Sequence, residues 1–252
     1  MFTEYIALGD SMSIDLYPAL DVGETDVAVA LEWLASAGAV APLGAASLLY
    51  ANVEARWPEF AGRDLATHHL GIEYVNLAQD GATIGDVFGE QLPEVPEDDR
   101  PTLVTLTVGG NDLLSAYARG AGERVLARAV HDIAEAYDYL VARIAERLPR
   151  ATLLLTTVYD PSDRTGLIPG VFDGEALPLH HLDRFNEHLR ALAARTPSAR
   201  VADVYAHFLG RGATAPEAER WYWRRSLIEP SAAGASEIRR VWWELIGDAD
   251  GG

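Results

Sequence analysis

Residues 4–13 read Glu4-Tyr5-Ile6-Ala7-Leu8-Gly9-Asp10-Ser11-Met12-Ser13, an apolar run that stops at Gly-Asp-Ser. The run 5–8 is short and wholly apolar, the pattern of a strand buried on both faces; a half-exposed strand would alternate. Runs of the same kind recur at 74–77, 103–108, 152–158 and 200–204. Between them lie segments with helical character, at 45–57, 83–88, 123–148, 179–194 and 231–246. In the longest, Val125, Ala129, Ile133, Ala136, Leu140 and Ile144 recur at helical spacing. Strand and helix alternate, which predicts a parallel sheet of five strands covered by helices on both faces.

The chain has 252 residues, 49% of them hydrophobic, enough for one substantial core. No repeat or linker-like stretch divides it, so a single domain is expected over residues 1–247, with a disordered tail at 248–252. Residues 91–100 and 162–177 read as surface loops. The formal net charge is −18, and every one of the 20 basic residues is Arg. So acidic a surface repels nucleic acid and anionic membranes, and neither is expected as a partner. The chain contains no Cys, which excludes disulfides, thiolate metal sites and a Cys nucleophile. The first strand begins almost at Met1 with no basic segment before it, and the apolar stretch 27–49 is broken by Glu32, Pro42 and several glycines. A cytoplasmic location is the expectation.

Ligands of an open parallel sheet bind beyond the carboxyl ends of its strands. The segments that follow the strands here are Gly9-Asp10-Ser11, Asn76-Leu77-Ala78-Gln79-Asp80-Gly81, Gly109-Gly110-Asn111-Asp112 and Tyr159-Asp160-Pro161-Ser162, while the fifth strand leads through Tyr205 to His207. Taken singly, Ser11 is a helix N-cap and Asn111 a turn residue. Three such blocks in order, each at a predicted strand end, point to chemistry instead. Together they resemble the successive motifs of the SGNH (GDSL) hydrolases. The resemblance implies a flavodoxin-like three-layer α/β/α sandwich around a central five-stranded parallel sheet. It also implies a serine ester hydrolase acting on a small acyl or acetyl ester without metal or cofactor. On that pattern Ser11 is the nucleophile, and the Ser11 and Gly81 amides with the Asn111 side chain stabilise the oxyanion. Each such donor contributes roughly 3–4 kcal/mol.

One block departs from the family pattern. Where members carry Asp-x-x-His-Pro before the last helix, this chain reads Ser226-Leu227-Ile228-Glu229-Pro230. The orienting Asp is replaced by Ser226 and the base by Glu229. A free Glu, with a pKa near 4.3, is a much weaker base at neutral pH than an imidazole near 6.5, unless burial raises it. The alternative reading is therefore a catalytically impaired domain that binds a carbohydrate or small ligand in the same crevice. Of the seven histidines, His207 alone follows a strand on the catalytic edge, and it is not expected to reach Ser11. A cluster of Asp10, Asp112, Asp160 and Glu229 is a minor candidate for an oxygen-rich metal site. The run Trp221-Tyr222-Trp223-Arg224-Arg225 reads either as a pocket wall, with an arginine paired to Glu229 or to a substrate anion, or as core. Apolar residues of the long connection 15–64, among them Trp33, Leu34, Leu48, Leu49 and Trp57, either line a pocket or bury a helix. The Trp242-Trp243 pair is a candidate exposed contact on the last helix. A nucleotide-binding reading is weak, because no Gly-x-Gly-x-x-Gly follows the first strand.

Overall fold

The computed structural model describes residues 1–36, 39–120, 122–171 and 174–247; the tail expected at 248–252 lies outside them. Five strands, β1 (Glu4–Gly9), β2 (Glu73–Asn76), β3 (Thr102–Thr107), β4 (Thr152–Thr156) and β5 (Ala199–Ala202), form one parallel sheet in the order β2-β1-β3-β4-β5. Every residue of β1 and β3 is buried, as a strand covered on both faces requires, and the polar Glu4, Thr102, Thr105 and Thr107 are buried with the rest. The fold is the flavodoxin-like α/β arrangement expected from the sequence.

The helices follow in chain order. Helices α1 (Leu16–Asp21), α2 (Val27–Ser36), α3 (Ala45–Tyr50) and α4 (Leu65–His68) lie between β1 and β2, and α5 (Ile84–Asp86) follows β2. Helices α6 (Gly110–Ala118) and α7 (Glu123–Arg147) separate β3 from β4, and α8 (Leu179–Arg195) leads to β5. Helix α9 (Val204–Phe208), the antiparallel pair β6 (Tyr222–Trp223) and β7 (Ser226–Pro230), and helix α10 (Ala232–Gly247) close the chain. One face of the sheet packs Ile6, Leu8, Val104, Leu106, Leu153 and Leu155 against α7, α8 and the helical stretch after β2. The other packs Tyr5, Ala7, Leu103, Leu154 and Ala202 against α3, α10 and the β6–β7 hairpin.

Several expectations are corrected. The buried stripe of α7 is Leu126, Val130, Ala134, Tyr137, Leu140, Val141 and Ile144: Leu140 and Ile144 of the predicted face are on it, Ala129 and Ile133 flank it, and Val125 is 62% exposed. The bulkier stripe takes the sheet side, because it buries more apolar surface. The helix expected over 45–57 ends at Tyr50: the Asn52 Nδ2 donates to the Trp57 carbonyl at 3.0 Å, and Pro58 opens a separate 3-10 turn. The helix expected over 83–88 is a composite. It starts on a capping box between Thr83 and Asp86, passes through a π turn at Val87–Gln91 and ends in a 3-10 turn at Leu92–Glu94. Trp242 is no surface contact; it is wholly buried, and its indole N–H donates to Thr156 Oγ1 at 3.0 Å. Leu48 and Leu49 of the long connection are core.

Two glycines fix the sheet edge that faces the cavity. Gly9 has φ +126°, and a Cβ there would lie 1.8 Å from the Thr107 carbonyl oxygen. Gly109, the residue before α6, has φ +114°, and a Cβ there would lie 2.5 Å from the Phe185 ring. Gly9→Ala is expected to cost about 3 kcal/mol or more, since it combines a left-handed backbone with overlap against main chain that cannot yield. Urea unfolding of the two proteins measures it; a loss below about 1 kcal/mol contradicts the close approach.

Candidate active site

In the strand order 2-1-3-4-5 the chain reverses its direction of winding between β1 and β3, the position at which doubly wound sheets bind ligands. A cavity of about 670 Å³, counted to its open mouth, lies there. Asp10, Ser11 and Met12 enter it from the end of β1, Gly110 and Asn111 from the start of α6, and Ile228 and Glu229 from β7. The rest of its wall is largely apolar, with Leu114 and Tyr117 of α6 and Leu179 and Leu182 of α8. None of the apolar residues singled out in the connection 15–64 lines it. Leu177 and Ile168 do, so the segment read as a surface loop at 162–177 is in part a cavity wall.

The turn after β1 presents Ser11. The Asp10 N–H donates to the Thr107 carbonyl at 2.7 Å, the Met12 N–H donates to Asp10 Oδ1 at 3.1 Å, and the Ser13 N–H donates to the Asp10 carbonyl at 3.1 Å. Among the described residues the Ser11 N–H between them donates to no protein acceptor. It is the one amide of the turn left to face a ligand. A buried carboxamide holds the strand end: Gln91 Oε1 accepts the Gly9 N–H and Gln91 Nε2 donates to the Gly9 carbonyl, both at 2.8 Å. Asn186 of α8 does the same for Val158 after β4, at 2.9 and 2.8 Å.

Glu229 is 7% exposed and lines the same cavity as Ser11, whose hydroxyl lies close enough to act on its carboxyl. Its Oε2 is buried and has no hydrogen-bond partner among the described residues. Burial pushes its pKa from 4.5 up to about 7; the Ser11 hydroxyl opposes the rise and the negative charge of Asp80 adds to it. Burial likewise raises Asp10 to about 8, opposed by the Met12 N–H and the Thr107 hydroxyl and reinforced by Glu229 and Asp112. Main-chain contacts fix β7: the Tyr159 hydroxyl donates to the Ile228 carbonyl at 2.7 Å, and the Ser231 N–H donates to the Trp221 carbonyl at 3.0 Å. Tyr222 packs edge-on against Tyr159 with ring centroids 4.9 Å apart, so the aromatic run is core on this side. Arg224 and Arg225 are exposed, and neither forms an ion pair among the described residues.

Ser11, Asn111 and Glu229 therefore meet at one cavity. Gly81 does not join them: it is exposed, with φ +71°, and lies outside the cavity wall beside the Asp80 carboxylate. The Asn111 Nδ2 donates to the Ala82 carbonyl at 3.0 Å, which commits one of its two N–H bonds. His207 is turned away, with Nε2 2.8 Å from Glu237 Oε2 and its ring 4.9 Å from that of Trp221. The carboxylates of Asp10, Asp112, Asp160 and Glu229 do not converge. Asp112 accepts the Ile84 N–H at 3.1 Å, and Asp160 accepts the Ser162 and Arg164 N–H groups at 2.9 and 2.8 Å. The strand-end segments include Tyr159 but not Gln91, Asn186 or Tyr117. The signal for Asn186 is a polar residue placed on the buried stripe of Leu182, Phe185 and Leu189. Tyr117 lines the cavity with a buried hydroxyl that has no partner among the described residues, a polar group free for a ligand.

A family model, the GDSL-like lipase/acylhydrolase family, matches residues 34–236, which takes in Gly81, Asn111 and Glu229 and begins after Ser11. No curated protein sequence matches the chain. Solved structures similar to it include an extracellular lipase from Streptomyces rimosus, at 19% identity and TM-score 0.54 over 98% of this chain and 99% of that one. An acetylxylan esterase from Geobacillus stearothermophilus matches at 19% identity and TM-score 0.58 over 97% and 94%. Phospholipase A1 from Streptomyces albidoflavus NA297 matches at 18% identity and TM-score 0.57 over 98% and 99%. At these identities the likeness is one of fold.

The raised carboxyls make stability depend on pH in a definite direction. Between the ordinary values near 4 and the folded values of about 7 and about 8, the folded chain holds protons that the unfolded chain releases. The contribution is fully present below about pH 4 and is lost as pH rises through 7 to 8. The unfolding free energy of wild type is thus expected to fall from pH 5 to pH 8.5, and Glu229→Gln to fall less. Parallel slopes for the two proteins in urea titrations across that range would show that Glu229 is not held in its acid form.

Proposed function

The chain belongs to the GDSL-like lipase/acylhydrolase family, and on that premise we propose that it is a serine ester hydrolase in which Glu229 serves as the base for Ser11. The observation that carries the reading is that Ser11 shares its cavity with a buried carboxyl whose pKa lies near neutrality. A base is most effective when its pKa sits near the working pH, and burial brings this glutamate where a histidine ordinarily stands. In the acetylxylan esterase from Geobacillus stearothermophilus, an aspartate and a histidine three residues further on are each described as catalytic. Ser226 and Glu229 keep that interval here.

Ser11 Oγ attacks the ester carbonyl carbon as its proton passes to the Glu229 carboxylate. The Ser11 N–H and the remaining N–H of Asn111 support the negative oxygen of the tetrahedral intermediate. Protonated Glu229 then gives its proton to the departing alkoxide, leaving the alcohol and an acyl-Ser11. Water attacks that acyl group with Glu229 again taking the proton, and collapse of the second intermediate returns it to Ser11 Oγ and frees the acid. Asp10, neutral up to about pH 8, leaves the buried site with one negative charge at the moment Glu229 must act as a base. The apolar wall beyond Ser11 suits the acyl part of a small ester, and the open mouth suits the alcohol.

Hydrolysis of p-nitrophenyl acetate and butyrate across pH tests the assignment. Wild type is expected to show kcat/KM rising through an apparent pKa near 7, Ser11→Ala to fall to the buffer rate, and Glu229→Gln to lose about 100-fold or more. Asn111→Ala should lose about 100-fold in kcat. If wild type equals Ser11→Ala while Glu229→His gains activity, the domain binds its ligand without turning it over.

A further inference from the structure

We propose that Glu123, His180 and His181 form a binding site for a divalent transition metal ion, zinc first among them, at the junction of α7 and α8. Glu123 is the first residue of α7, and the two histidines are the second and third of α8. His180 Nε2 lies 3.1 Å from Glu123 Oε1, and His181 Nε2 lies 3.3 Å from Oε1 and 3.4 Å from Oε2 of the same carboxylate. One donor atom from each residue falls within 4.8 Å of the other two. In a tetrahedral zinc site, bonds of about 2.0–2.1 Å put neighbouring donors about 3.3 Å apart. The distances to Glu123 already match the edges of that tetrahedron.

Consecutive helix residues diverge by about 100° around the axis, yet both rings turn Nε2 to one carboxylate, with centroids 4.1 Å apart. His181 is a separate indication. It is wholly buried, and its Nδ1 has no hydrogen-bond partner among the described residues. Buried imidazoles ordinarily satisfy both nitrogens, so the only polar direction fixed for this ring is the one Nε2 takes toward Glu123. Two imidazoles and one carboxylate leave a fourth position for water, a donor set that suits zinc, nickel or copper. Calcium and magnesium, which take six or more oxygens, do not fit it. Leu179 and Leu182, on either side of the histidine pair, line the cavity beside Ser11, and α6, which carries Tyr117, runs toward Glu123. An ion here would tie α7, which follows α6 in the chain, to α8, which gives Leu179 and Leu182 to the apolar wall. The site is independent of the chemistry assigned to Ser11 and Glu229.

Equilibrium dialysis of the full chain against zinc chloride at pH 7.5, with melting followed in parallel, tests it. Wild type is expected to hold one ion tightly and to melt higher with zinc, and magnesium to do neither. His180→Ala and Glu123→Gln, both at exposed positions that folding does not depend on, should each bind that ion at least tenfold more weakly and lose most of the rise in Tm. Equal zinc binding by wild type and both variants would overturn the proposal, reducing the cluster to hydrogen bonds among a carboxylate and two imidazoles. Loss in the variants without any Tm effect in wild type would overturn the tie between α7 and α8.

Discussion

A parallel strand that ends inside a protein leaves peptide groups that no neighbouring strand reaches, and each one buried without a partner is costly. At the end of β1 that burden falls on Gly9, which must also bend away under the Thr107 carbonyl. Gln91 meets it with both functions of its carboxamide, continuing the ladder by one side chain. Asn186 does the same beyond β4. With both strand ends satisfied, the turn at Asp10 can be tight, and Ser11 can present its amide and hydroxyl in the same direction. The placement of the reacting groups thus depends on two carboxamides that touch no substrate.

The second constraint is the burial of acid groups. Water stabilises a carboxylate strongly, and withdrawing two of them from it raises both pKa values, with the charge of Glu229 adding to the rise at Asp10 and that of Asp80 to the rise at Glu229. Asp10 and Glu229 respond to different degrees, because Asp10 has a more deeply buried position and Glu229 has the Ser11 hydroxyl. The difference separates their roles. In the proposed mechanism one stays an acid at the turn, beside the Met12 N–H, and the other exchanges its proton near neutral pH. A histidine needs no such help, so replacing it with glutamate is chemically workable only in surroundings as dry as these.

Much of this was legible in the sequence. The near-continuous apolar runs at 5–8 and 103–108 identify buried parallel strands, because alternation is what a half-exposed strand would show. The polar residues that follow them mark the ligand edge, and Ser11, Asn111 and Glu229 do share a cavity. What escaped depends on long-range contact. The hairpin that delivers Glu229 has one strand of two residues, too short for any periodicity, and it is held by Tyr159 and Trp221 from elsewhere. Gly81 stands where the family pattern implies, but whether its amide faces a substrate or the adjacent Asp80 is decided by folding. Trp242 reads as a surface aromatic until Thr156 is seen to accept its indole N–H.

The hairpin also carries a meaning for how the molecule is made. On the proposed assignment the nucleophile lies in the turn after the first strand, and the residue that activates it arrives on β7, close to the last helix. A ribosome has therefore released most of the sheet before the reactive pair can exist. Until β6 and β7 dock on Tyr159, Ser11 is an ordinary alcohol, chemically quiet among the esters of the cell. On that assignment esterase activity would report on completion of the fold itself, and a chain cut short before its final sixth would be silent however well its sheet had formed.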